Sequence, residues 1–345
     1  GLSKIYELVI NSDPCYAFLL DGNTLIQNKL IVAHVLAHSD FFKNNIRFRH
    51  TNRNMVESMA AAAERIREYE LEYGAEEVER FLDAALSIQE HIDPSVIHPY
   101  GIDRLRAEEA RQREEERRRK ERRTLTYEDL WRLDDDWEPE RDAKPSEPES
   151  PPEKDLLWFI IKHSRHLEPW QQDVLGLIRD EMYYFWPQLE TKIMNEGWAT
   201  FWHYHIINRL FEKGLVDDGF MVEFLHLHTN VVCQRGFDEP GYGGINPYAL
   251  GFAMFQDIKR ICERPDEEDR YWFPDIAGRD WRKVLDFAMR NYKDESFIAQ
   301  FLSPRLIREY RLFTISDYED NPYYEVDSIH NDQGYRRVRQ LLAAQ

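Results

Sequence analysis

Two imidazoles one helical turn apart, His34 and His38, and a distant carboxylate, Glu196, are the side chains here best suited by type and spacing to metal chemistry. Residues i and i+4 share a helix face, so His34-Val35-Leu36-Ala37-His38 presents both rings to one side. Zinc takes two such imidazoles with a third ligand and leaves a position open for water. Glu196 lies in Met194-Asn195-Glu196-Gly197-Trp198-Ala199-Thr200-Phe201-Trp202-His203-Tyr204-His205, where Glu196 and His203, two turns apart, face one way. A carboxylate among Trp198, Phe201 and Trp202 needs a cation, a metal or a donor if it is buried. The pattern admits a metal centre or a hydrogen-bonded core cluster. In zinc peptidases of the HExxH type the residue after the first His is the glutamate base. Here it is Val35, so a metal can bind while ordinary peptidase chemistry lacks its base. Glu181, Glu190 or His203 can substitute only if the fold brings one near the bound water. Asn195, His203, His228 and Asn230 are the expected partners that orient the ligands. His226 and His228 diverge on a helix, so only one of them faces the cluster.

Other constellations carry less. Gly241-Tyr242-Gly243-Gly244 lacks the lysine of a phosphate-binding loop and follows no strand, so it reads as a turn and no nucleotide is expected. Ser39 and Ser164 lie near histidines in sequence only, which makes no triad. A net charge of -19 argues against nucleic acid and anionic lipid as partners. No apolar run reaches membrane-spanning length. Cys15, Cys233 and Cys262 are odd in number and unclustered, which fits a reducing cytoplasm. The 345 residues, 42% hydrophobic and 13% aromatic, support a large core. The start at Gly1 without an initiator Met reads as an excised part of a longer protein.

The elements that must hold these residues are mostly helices. Tyr6–Ile10 and Tyr16–Leu20, separated by turn residues, read as a hairpin. Thr24 caps a helix from Leu25 through His38. Helices follow over Asn54–Tyr73 and Ala75–His91. From Glu168-Pro169-Trp170 a helix runs to about Trp186, where Pro187 marks a break before the helix Leu189–Phe211. Asp218–Thr229, Asn246–Cys262, Trp281–Arg290 and Glu295–Phe301 are further helices. A second hairpin (Arg311–Ile315 with Tyr323–Val326) and a helix from Asn331 close the chain. The fold class is therefore mainly α with small β hairpins (α+β). Its organisation reads as 1–103, the N-terminal hairpin and His-bearing helices; 104–152, a charged and Pro/Glu-rich linker; and 153–345, the helical core with the Glu196 helix.

Several longer stretches resemble the SpoVR family (stage V sporulation protein R-like proteins). They are His34-xxx-His38 with Phe41-Phe42-Lys43-Asn44-Asn45, Met194–Tyr204, and His228-Thr229-Asn230-Val231-Val232. Gly244–Phe252 with Gln256-Asp257-Ile258-Lys259-Arg260, Tyr271–Ile276 and Asp294-Glu295-Ser296-Phe297 complete the set. The resemblance covers nearly the whole chain except about residues 100–155. It implies a cytoplasmic bacterial protein associated with the spore cortex, a peptidoglycan layer, or with a wider stress or envelope role. It also implies a PrkA-type serine protein kinase and a von Willebrand-domain-like protein as partners. No catalytic residues come with it. Two functions follow as expectations. One is a metal-dependent, hydrolase-like protein with a degenerate zinc-peptidase-like core, holding zinc or another divalent ion at His34, His38 and Glu196. The other is a non-catalytic regulator or scaffold acting with the kinase.

Overall fold

Thr24 starts the helix that carries the paired histidines. Its hydroxyl accepts the Gln27 N–H at 3.2 Å while the Gln27 side chain accepts the Thr24 N–H at 2.9 Å. This reciprocal cap satisfies two backbone donors that a helix start leaves open. The helix, α1 (Leu25–Asn44), runs six residues past His38, because Phe41 and Phe42 are buried and extend its apolar face. The computed structural model describes residues 7–94, 154–236, 239–312, 315–316, 319–320, 322–323, 325–326 and 331–344. The sequence-defined linker 104–152 lies outside them.

In front of α1, β1 (Glu7–Ile10) pairs antiparallel with β2 (Tyr16–Leu19), Glu7 opposite Leu19 and Ile10 opposite Tyr16. Then come α2 (Met55–Tyr73), α3 (Ala75–Leu86), α4 (Leu156–His163), α5 (Pro169–Glu190), α6 (Lys192–Glu212) and α7 (Asp218–Val231). They are followed by α8 (Pro247–Glu263), α9 (Glu267–Trp272), α10 (Trp281–Asn291), α11 (Asp294–Phe301) and α12 (Pro304–Glu309). A second antiparallel pair, β3 (Ile315–Ser316) with β4 (Glu325–Val326), precedes α13 (Asp332–Ala343). The fold is mainly helical with small antiparallel pairs, the class read from the sequence.

Boundaries differ from that reading in informative places. Pro187 does not break its helix; α5 continues through it to Glu190, and the interruption falls at Thr191, whose ψ is 18°. The Thr191 hydroxyl donates to the Pro187 carbonyl at 2.6 Å and so tidies the helix end. α3 stops at Leu86, five residues before His91, and the chain leaves it in turns. The short helices α9 and α12 start at polar caps, Asp266 and Ser303, within stretches too brief to show a helical period.

The chain divides into two compact units, Gly1–Met59 with Phe185–Gln345, and Ala60–Tyr184. In the second, Trp170 packs against Tyr69, Tyr73 and Phe81. Asp155 there is buried, caps α4 and accepts from Arg179 at 2.7 Å and Tyr183 at 2.9 Å.

The first unit holds the site. α6 lies between α1 and α8 in a core of fully buried Phe41, Met194, Phe201, Leu250, Phe255 and Ile258. Each such side chain contributes about 1.5–3 kcal/mol by leaving water. α6 and α8 meet backbone to backbone at Gly197 and Gly251. A Cβ on Gly197 would stand 2.5 Å from the Gly251 Cα, so only glycine permits the approach. The start of α6 is pinned by Asp294, whose carboxylate accepts the Ile193 N–H at 2.7 Å and the Met194 N–H at 2.8 Å.

Candidate metal centre

His34 and His38 leave α1 toward α6 and are both buried. Their Nε2 atoms are 3.0 Å apart, and the Glu196 Oε2 atom lies 3.7 Å from the first and 3.5 Å from the second. The circle through three atoms so spaced has a radius of about 2.0 Å, which equals the bond length zinc makes to imidazole nitrogen and carboxylate oxygen. The three residues form the His-His-Glu group able to hold a metal ion among the described residues.

Glu196 Oε2 is buried and has no hydrogen-bond partner among the described residues. At 3.5 Å or more, the imidazoles are too far for a good hydrogen bond. Burial pushes the Glu196 carboxyl up, but the two facing imidazoles outweigh it and hold the group below the usual carboxylate range, so it is ionised. His34 moves down, first through burial and then through repulsion by His38. This arrangement supplies an anionic oxygen and two basic nitrogens converging on one point.

Around the trio the rings form a chain. The His38 Nδ1 atom is 2.8 Å from the Asn195 Oδ1 atom. On its other side, His34 Nδ1 meets His203 Nδ1 at 3.1 Å, and His203 Nε2 meets His228 Nδ1 at 2.9 Å. Asn195, His203 and His228 are all buried. Burial drives His203 well below the ordinary histidine value and His228 down to about 4. Both are therefore neutral at pH 7, each with one N–H to donate and one lone pair to accept.

Of the residues singled out by sequence, His34, His38 and Glu196 come together, with Asn195 and His203 touching the two imidazoles and His228 one ring further. Asn230 does not join them; it is exposed, 3.4 Å from His226, and lines a cavity of about 530 Å³ beside His34 and His203. His226 is exposed while His228 points inward. Glu190 is taken by Arg47, which donates to it at 2.7 and 2.8 Å. Val35 is half-buried, and the Ser39 hydroxyl donates to its carbonyl at 3.0 Å. Gly241 and Gly244 have φ of 81° and 93°, as turn glycines do.

Sequence reasoning missed three contributors. Tyr248 lies nearly parallel to the His34 ring, with centroids 6.4 Å apart. Thr200 is fully buried with an unpartnered hydroxyl one turn beyond Glu196. Asp294 fixes the start of α6; its position just inside a helix start was a visible signal, but its target was not.

A helical protein with a His-His-Glu trio, its two histidines buried and its glutamate half-buried, and a neutral histidine chain behind it is thus defined by fold and site. The chain belongs to the SpoVR family: SpoVR like protein matches residues 1–345. It is 47% identical over 352 residues to the uncharacterized protein YcgB of Escherichia coli (strain K12), covering 99% of this chain and 66% of that protein. The chain thus spans just under two thirds of the length of this relative. No solved structure matches it. No helix among the described residues is long and apolar enough to cross a membrane.

Proposed function

We propose that this chain is a divalent-metal protein, with zinc the best fit, whose centre is His34, His38 and Glu196 and which serves spore-cortex or other envelope peptidoglycan physiology in the cytoplasm. The observation that carries the metal is the buried Glu196 oxygen, which has no hydrogen bond among the described residues and faces two imidazole nitrogens at 3.5 and 3.7 Å. A carboxylate is not left so without a cation. The process rests on family membership.

A divalent ion bound there supplies Lewis-acid activation of water or of a carbonyl. The protein's residues hold and orient. Asn195 fixes the His38 ring, and His203 fixes the His34 ring. The order of hairpin, two-histidine helix and later Glu helix is that of Glu-ligand zinc peptidases, an analogy of layout. With Val35 at the base position and Glu190 held by Arg47, general peptidase activity is expected to be weak or absent. That same feature favours the second reading, a regulatory protein working with a PrkA-type serine kinase and a von Willebrand-domain-like protein.

Elemental analysis of protein purified without added metal tests the centre. One equivalent of metal is expected in the wild type and none in His38→Ala, with helix content retained because alanine is a good helix former. Metal-free wild type that also refuses zinc in titration overturns the centre. A deletion strain with normal cortex and envelope under sporulating and starvation conditions overturns the process.

A further inference from the structure

The cavity of about 530 Å³ beside the trio falls within the size range of small-molecule sites, about 300–1,000 Å³. Its wall toward the trio is formed by His34 and His203, so His34 is shared between the cavity and the proposed centre. Leu30, Ile31, Leu227 and Val231 supply its apolar lining, Asn246 and Tyr248 complete it, and the amides of Gln27 and Asn230 reach the same space. No Asp, Glu, Lys or Arg lines it.

That inventory selects a ligand by charge. In the metal-free protein an ionised group entering such a space loses part of its hydration and meets no countercharge from the lining residues. An aliphatic group gains about 25 cal/mol for each Å² of apolar surface it buries against the leucines and Val231. The Asn230 amide is exposed, held to His226 by a long 3.4 Å contact, and offers both a donor and an acceptor. Gln27 uses its side-chain oxygen for the α1 cap, which leaves its NH₂ without a hydrogen bond among the described residues. The complement is a molecule with an aliphatic body and amide groups, uncharged at both ends.

We propose that this cavity is the ligand site of the protein and takes an uncharged, amide-bearing aliphatic ligand, such as an internal segment of a short peptide. This names a substrate class for the site proposed above and rests on that reading for the ligand's placement beside the metal. Binding in the cavity itself needs only the lining.

Three probes of one shape separate charge from fit: N-acetyl-leucinamide, which is neutral; N-acetyl-leucine, an anion; and leucinamide, a cation. Each is titrated by NMR into the full chain, with and without zinc, and metal content is measured in parallel. In the metal-free protein the neutral probe is expected to bind at least about tenfold more tightly than either ion, whereas bound zinc supplies a countercharge that raises the affinity of N-acetyl-leucine alone. Asn230→Asp adds an exposed carboxylate to the lining and is expected to move the preference by about tenfold toward leucinamide. Leu227→Trp fills the space and is expected to abolish binding while leaving metal content unchanged. Equal or tighter binding of either charged probe by the metal-free wild type overturns the proposal, as does no binding of the neutral probe at tens of millimolar. Neutral-probe binding by a protein that takes up no zinc upholds the cavity and removes the metal reading. Zinc uptake without probe binding does the reverse.

Discussion

A neutral imidazole carries one proton on two nitrogens, so the contacts around His34 allow only certain directions of donation. When the His38 ring is neutral, its Nδ1 donates to the Asn195 oxygen, which leaves a lone pair on His38 Nε2. Without a cation, His34 donates from Nε2 to that lone pair, accepts at Nδ1 from His203, and His203 accepts at Nε2 from His228. A cation that takes both Nε2 lone pairs forces the opposite sense: His34 donates from Nδ1 to His203, and His203 from Nε2 to His228. Zinc addition is therefore expected to move the proton to the other nitrogen on His34, His203 and His228, with His38 unchanged, as read from imidazole nitrogen shifts. Identical spectra before and after zinc would disprove it. His203→Phe removes the acceptor behind His34 and is expected to weaken zinc affinity about 10–100-fold. Much of this constellation was legible, because spacings of four and seven on a helix dictate a shared face. Tyr248 was not, since nothing local tells which ring a residue more than 200 positions away will stack upon.

The helices are held where the trio needs them by two devices, one steric and one electrostatic. Gly197 and Gly251 let α6 and α8 touch; a Cβ on Gly251 would collide with the Ile193 carbonyl and with Gly197. Gly251→Ala is expected to cost about 1–3 kcal/mol by overpacking and to lower metal content, because α6 carries Glu196; urea unfolding and elemental analysis report the two effects. Asp294 gives a pH signature. Burial, opposed by its two backbone N–H donors and reinforced by Glu190, pushes its carboxyl up to about 7. The folded state thus binds this proton more tightly than the unfolded chain does. Its contribution to stability is fully present below the unfolded value of 3.8 and is lost as pH rises toward and through 7. Asp294→Asn removes that titration, so its stability relative to wild type is expected to improve from pH 5 to pH 8 in thermal unfolding. A constant difference across that range would count against it. Element types were readable from apolar period and caps. The Pro187 boundary was misjudged because a proline inside a helix costs a hydrogen bond but need not end it: α5 runs on to Glu190, and the break falls at Thr191, whose hydroxyl donates to the Pro187 carbonyl.

At the scale of the molecule, the trio draws on distant stretches, with His34 and His38 in Gly1–Met59 and Glu196 in Phe185–Gln345. Composition marked 104–152 as a segment apart, but it could not show that a compact unit divides at residues 60 and 184, since apolar periodicity tells that a helix packs and not on what. Among the described residues, the contacts named above that position the trio come from the first unit: Asn195 on His38, His203 on His34, Asp294 on the start of α6, and Gly251 against Gly197. Burial of Phe41 from α1 with Phe201 from α6 and Phe255 from α8 joins the distant stretches. The packing of α1, α6 and α8 leads us to predict that chain continuity through 104–152 is not needed once the protein has folded. A specific protease site placed within Glu138–Pro152 and cut in the folded protein is expected to leave the two fragments together in gel filtration. Metal content and zinc affinity should stay within about twofold of the uncut chain, a change below 0.5 kcal/mol. Fragments that part, or that stay together but lose the metal, would mean that the centre depends on the linker as well as on the packing of α1, α6 and α8.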